Sequence, residues 1–186
     1  MINSICENGS TLQVLDISKS RLMSFQLKLI IEKCIELREL NLANVTIFLK
    51  DGSVDDSFAN YFAKNLTRKI EKLSIGGTFG GIMEFNQDEN FKTLVSRCTK
   101  ISALNIPSTT VSNDLLNSII DYLGQTLEEL HLAPYDDDKL SVLKVMPRLK
   151  ILNTHSFSSY NYGKELPSVN VNEKKNSVVA NISPEI

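Results

Sequence analysis

In the stretch CIELRELNLANVTI, residues 34–47, apolar side chains fall at Cys34, Leu37, Leu40, Leu42, Val45 and Ile47, at intervals of three, three, two, three and two. A helix buries a stripe at i, i+3, i+4 and i+7, and a strand buries every second residue, so neither alone makes this rhythm. The Leu40 to Leu42 step is strand-like, and the flanking steps of three belong to turns. The same rhythm returns in LQVLDI from Leu12, LRELNL from Leu37, IEKLSI from Ile70, ISALNI from Ile101, LEELHL from Leu127 and a truncated LKILNT from Leu149, at intervals of 25, 33, 31, 26 and 22 residues.

Each of these segments is followed by helical spacing. SFQLKLIIEKC predicts a helix capped by Ser24, with Leu27, Leu29, Ile30, Ile31 and Cys34 on its buried side. In DDSFANYFAKNL, Phe58, Tyr61, Phe62 and Leu66 share a face, and Phe91, Leu94, Val95 and Cys98 repeat those offsets in DENFKTLVSRC. SNDLLNSIIDYLG stops at Gly124, placed as a left-handed C-terminal residue, and a short last helix, DKLSVLKVM, ends before Pro147. A strand alternating with a helix at this period is the pattern of a leucine-rich repeat. The predicted fold is an α/β leucine-rich-repeat solenoid, a right-handed β-α superhelix with a parallel sheet on the concave face and helices on the convex face. It spans residues 1–163 in about six repeats. Residues 164–186, KELPSVNVNEKKNSVVANISPEI, lose the repeat and read as a tail that is disordered or folded back on the solenoid.

Composition narrows the function by exclusion. Twenty basic and 22 acidic residues give a net charge of −2 without a Lys/Arg cluster, which argues against nucleic acid and anionic membrane surfaces as partners. There is no apolar run of the roughly 18 residues that a spanning helix needs, and MINSICENGSTLQVLD lacks the basic and apolar regions of a signal peptide. Three cysteines, Cys6, Cys34 and Cys98, leave at least one unpaired and fit a reducing compartment. The expectation is a soluble chain of the cytoplasm or nucleus, on which the N-x-S/T matches at Asn8, Asn44, Asn65 and Asn181 are chance.

Candidate chemistry is sparse. GGTFGG, Gly76–Gly81, has the G-x4-G spacing of a phosphate loop, but Ile82 and Met83 stand where Lys and Ser or Thr are required, so it reads as a flexible insertion. Asp136, Asp137 and Asp138 lack the alternation and closing Glu of a calcium loop. His131 and His155 have no companions at zinc spacing, and Ser, Cys and His never form a nucleophile-activating set. No cofactor, metal or catalytic residue is expected.

Cys34 and Cys98 each end a helix three residues before the next apolar strand position, in CIEL and CTKI. This C-x-x-L-x-x-L-x-L pattern resembles the cysteine-containing leucine-rich repeats of F-box proteins, the family of the S-phase kinase-associated F-box receptor. LQVLDISKSRLMSFQLKLIIEKCIELRELNLANVTI is similar to two consecutive repeats of that type and MPRLKILN to the end of a last repeat, so the resemblance covers about residues 5–155. It departs after the strands, where Ser20, Val45, Thr78 and Thr109 replace the usual Cys or Asn, and nothing before Leu12 offers an LPxE-type F-box helix. SICENGS looks like the tail of an earlier helix, so the chain reads as beginning mid-unit with an exposed apolar end. The resemblance implies the substrate-recognition region of a cullin-RING ubiquitin-ligase receptor, meeting a Skp-type adaptor only if an F-box lies upstream. The alternative is a cytosolic repeat scaffold or assembly factor unrelated to ubiquitin. In either case a protein substrate or peptide should lie on the concave face. Strand alternation places Asp16, Glu39, Asn41, Lys72, Asn105, Glu129 and His131 there as partner-binding residues, a set whose carboxylates favour a partner of some basic character.

Overall fold

The computed structural model describes residues 2–53, 55, 57–75, 88–106, 112–132 and 141–154. In chain order the elements are α1 (Ile2–Glu7), β1 (Val14–Asp16), β2 (Arg21–Met23), α2 (Ser24–Lys33), β3 (Glu39–Asn41), β4 (Thr46–Phe48), α3 (Phe58–Asn65) and β5 (Lys72–Ser74). They continue with α4 (Asp88–Arg97), β6 (Ala103–Ile106), α5 (Asn113–Leu123), β7 (Glu129–Leu132) and β8 (Ile151–Thr154). Every repeat segment supplies one strand to a six-stranded parallel sheet in the order β1-β3-β5-β6-β7-β8, and α2 to α5 pack on one another in sequence. The fold is a leucine-rich-repeat α/β solenoid.

The opening rhythm is turn, strand, turn. Leu37, Ile70, Ile101 and Leu127 are buried in the turn that enters each strand. There a single carbonyl fixes the register: Arg38 O accepts from Glu71 N at 2.7 Å and Lys72 N at 3.0 Å, and Gln13, Glu71, Ser102 and Glu128 repeat the arrangement toward their next neighbours. Leu15, Leu40, Leu73, Leu104, Leu130 and Leu152 then pair across the sheet. Beyond the strand the chain turns through Lys19 or Asn44, both at φ 58, a left-handed conformation that Asn tolerates better than Lys. It then enters β2 or β4, which pair in parallel and bury Leu22 and Ile47. The steps from Leu42 to Val45 and Ile47 are this turn and this second sheet.

The second sheet changes the first helix. Because β2 runs directly into α2, Met23 takes the capping position, with its N–H donating to Gln26 Oε1 at 2.9 Å. Ser24, the expected cap, is instead the buried first residue of the helix. Leu29 is half-buried, outside the fully buried set of Leu27, Ile30, Ile31 and Cys34. The other faces match the spacing: Phe58, Phe62 and Leu66 are buried with Tyr61 at their edge, and Phe91, Leu94, Val95 and Cys98 are buried together. α5 is capped by Ser112 Oγ, which accepts from Leu115 N at 2.9 Å. It ends at Gly124 in the right-handed conformation, φ −55, and not the left-handed one. A Cβ there would lie 2.4 Å from Ile120 O, so close approach and not φ demands the glycine. Before Pro147 the described part of the expected helix DKLSVLKVM, Ser141–Val145, is a 3-10 turn, its first three residues lying outside the described residues.

At the N-terminal end, SICE lies in α1, whose Ile5 and Cys6 pack against the core. The apolar rung expected to be exposed there is largely covered, Leu15 and Ile17 keeping 7% and 6% exposure. Gly76–Gly81, Thr109, Asp136–Asp138, His155 and residues 164–186 lie outside the described residues. No helix among the described residues is long and apolar enough to cross a membrane.

Candidate functional site

Alternation along each strand sends its central leucine into the core and its two neighbours to the open side of the sheet. Two rows of side chains result, each running across all six strands. The first is Val14, Glu39, Lys72, Ala103, Glu129 and Ile151; the second is Asp16, Asn41, Ser74, Asn105, His131 and Asn153. Over the first five strands they line a trough of about 410 Å³. All seven residues expected on the concave face, Asp16, Glu39, Asn41, Lys72, Asn105, Glu129 and His131, line this one trough. On β8, Ile151 and Asn153 continue the rows; the LKILNT segment places them at the same positions as in the earlier units.

Neighbouring strands bring these side chains into contact with one another. Lys72 Nζ lies 2.9 Å from Glu39 Oε1, and this pairing, helped by Glu129 and Glu71, holds the ammonium above the usual lysine range. Asn41 Nδ2 donates to Asp16 Oδ2 at 2.9 Å, and Asn105 Nδ2 donates to Ser74 Oγ at 3.0 Å. His131 Nε2 is 2.6 Å from Glu129 Oε1, and its Nδ1 is 3.2 Å from Asn153 Nδ2. His131 thus stands between the Glu129 carboxylate of its own strand and the Asn153 amide of β8.

Asp16 and Asn41 also serve the turn that follows them. Asp16 Oδ1 accepts from Ser18 N at 2.8 Å and Asn41 Oδ1 from Ala43 N at 3.0 Å, matching turns in successive units. Partial burial pushes the Asp16 carboxyl up, but the bonds from Ser18 and Asn41 and the charge of Lys19 outweigh it and leave the group below its ordinary value. Of the three acidic side chains in the trough, Glu39 and Glu129 are therefore the ones that can be exchanged without loosening a turn.

Among the described residues no cluster of three or more His, Cys, Asp or Glu side chains could hold a metal ion. Cys34 and Cys98 are buried where α2 and α4 end, donating Cys34 N to Ile30 O and Cys98 N to Leu94 O. Burial pushes the Cys98 thiol up to about 11, the nearby arginines notwithstanding, and burial together with Cys6 raises that of Cys34. Both are packing residues and poor nucleophiles. At pH 8 a thiol-selective disulfide reagent should titrate no more than the half-buried Cys6 in the native chain, with Cys34 and Cys98 reacting only after denaturant is added. Rapid native labelling of either would contradict their placement.

No protein-family model matches the chain, and no curated protein matches it. Among solved structures it is similar to the tropomodulin C-terminal domain of Caenorhabditis elegans, at 12% sequence identity and a TM-score of 0.52 over 79% of this chain and 89% of that one. At that identity the likeness is one of architecture, and the architecture it establishes is the leucine-rich-repeat solenoid.

Proposed function

We propose that the chain is a non-catalytic module that binds a polypeptide segment along the trough. On the resemblance of its cysteine-bearing units, we propose further that it is the substrate-recognition region of a ubiquitin-ligase receptor. One observation carries the binding reading: two unbroken rows of side chains cross the strands, on the side of the sheet that the helices leave open. Five inter-strand steps of about 4.8 Å make a track of roughly 24 Å, the length of roughly seven residues of extended chain. Exposed Val14 and Ile151, at 58% and 41%, close its two ends. Between them stand Glu39, Lys72 and Glu129 around the small Ala103, with Asp16 alongside. Three carboxylates against one ammonium favour a segment with apolar ends and basic residues between them.

Linear peptides selected from a displayed library should show that character. Replacing Glu39 and Glu129 together by Ala should weaken the best of them by about tenfold or more. The melting temperature should move little, because exposed ion pairs contribute about 0–1 kcal/mol each. Selected peptides that bind the double variant as tightly as the parent would sink the trough reading. The ligase assignment rests on Cys34 and Cys98 and is tested separately: an F-box encoded upstream of Met1 and pull-down of a Skp-type adaptor by the extended protein support it. Failure of both favours a scaffold or assembly factor.

A further inference from the structure

We infer that the flank formed by β2 and β4 is a second docking surface, for an acidic polypeptide segment carrying leucine or aromatic residues. Parallel pairing sets Arg21 beside Thr46, Leu22 beside Ile47 and Met23 beside Phe48. With Leu22 and Ile47 buried, alternation turns Arg21, Met23, Thr46 and Phe48 outward. The Arg21 guanidinium lies 5.5 Å from the Phe48 ring centre, and Lys50 Nζ lies 5.9 Å from that of Phe25. Phe25 and the adjoining Leu49 remain 50% and 37% exposed, so the patch combines large apolar groups with two cations held over aromatic faces.

Its charge selects the occupant. No Asp or Glu occurs between Asp16 and Glu32 or between Glu39 and Asp51. The carboxylate next to the patch, Asp51, is turned into its own loop, accepting from Ser53 N at 2.9 Å and Ser53 Oγ at 2.6 Å. Among the described residues Arg21 and Lys50 form no ion pair, whereas Lys28 is paired with Asp55 and Lys72 with Glu39. Two cations that form no ion pair among the described residues, set on exposed apolar surface, complement a segment in which carboxylates alternate with Leu or Phe: carboxylate to guanidinium and ammonium, side chain to Phe25 and Leu49. The turns at Lys19 and Asn44 separate this flank from the trough, so one chain presents two surfaces of opposite sign.

Nitrogen-15-labelled full chain titrated with a short synthetic peptide alternating Glu with Leu and Phe tests this. Shifts should concentrate at amides 21–25 and 46–50. Affinity should fall by about tenfold or more in the double variant Arg21→Glu/Lys50→Glu, fall also in Phe25→Ser, weaken with added salt, and survive Glu39→Ala/Glu129→Ala. An unchanged melt in both flank variants ties the loss to the surface. Shifts confined to the trough, or equal binding of an all-polar Glu/Ser peptide, of polyuridylate or of phosphatidylserine vesicles, would overturn the inference, the latter results marking a site for any polyanion.

Discussion

Leu40→Asp should leave the chain without a cooperative melt. Leu40 is 2% exposed, pairs with Leu15 on one side and Leu73 on the other, and lies between β1 and β5 in the core of the sheet. Its loss removes about 1.5–3 kcal/mol of apolar burial. A carboxylate in its place has no cation within the leucine ladder, and an unpaired buried charge costs several kcal/mol more. Against a whole stability of about 5–15 kcal/mol, that sum is decisive, and in a stack of units each held by its neighbours the failure of one interior rung is passed to the next. Circular dichroism against temperature reads the result; Leu40→Met, which keeps volume and polarity, should melt within a few degrees of the parent. A normal transition in the Asp variant would mean that Leu40 is not on the ladder.

Asp55→Ala should have the next largest effect, at a position with no repeat signal. Asp55 is buried, with 5% exposure, at the start of α3. Its carbonyl accepts from Phe58 N at 3.0 Å. Its carboxylate accepts from Ser57 N at 3.1 Å, from Ser57 Oγ at 2.6 Å and from Lys28 Nζ of α2 at 3.1 Å. Burial raises this carboxyl, but bonds from Ser57, Lys28 and Ser24 and the Lys28 charge outweigh burial and bring it below its ordinary value. Removing it takes away the acceptor that closes the turn through Ser57 into α3 and the partner of a half-buried lysine, together about 2 kcal/mol, or roughly 4–8 °C in melting temperature for a chain of this size. The sign with pH follows from the lowered value: the carboxylate stabilises the fold above the unfolded value near roughly 4, and the contribution is lost as pH falls through the lower folded value. Asp16 acts in the same direction. Asp55→Ala should therefore flatten the acid limb of stability against pH while leaving its shape near neutrality unchanged. A melt and acid limb equal to those of the parent would show that the Asp55 turn and its Lys28 pair are not formed.

Strand positions were legible because a parallel sheet built of near-identical units repeats its burial requirement in every unit. One rhythm placed Leu15, Leu40, Leu73, Leu104, Leu130 and Leu152 on the ladder and, by alternation, the seven trough residues on the open face. What those residues do to each other was not legible. Glu39 meets Lys72 and Asp16 meets Asn41 only because register brings together residues 33 and 25 positions apart, and nothing local marks the pairing. The turn-forming role of Asp16 was masked by its equally good standing as a surface carboxylate. β2 and β4 are hidden for another reason: they are as short as β1, β3 and β5 but belong to two units only, so repetition does not reinforce them, and their entry turns use Lys19 and Asn44 where a glycine would announce a left-handed residue. The same strand moves the cap of α2 from Ser24, which the local sequence favours, to Met23.

The central claim, that the strands' open face receives the partner, is tested most directly by photo-crosslinking. Benzoylphenylalanine is placed at Ala103 in the trough or at exposed Ser96 on α4, and each form is irradiated with the tightest selected peptide. The account predicts efficient crosslinking from position 103, competed by unlabelled peptide, and background alone from position 96. Crosslinking from position 96 with none from position 103 would contradict it.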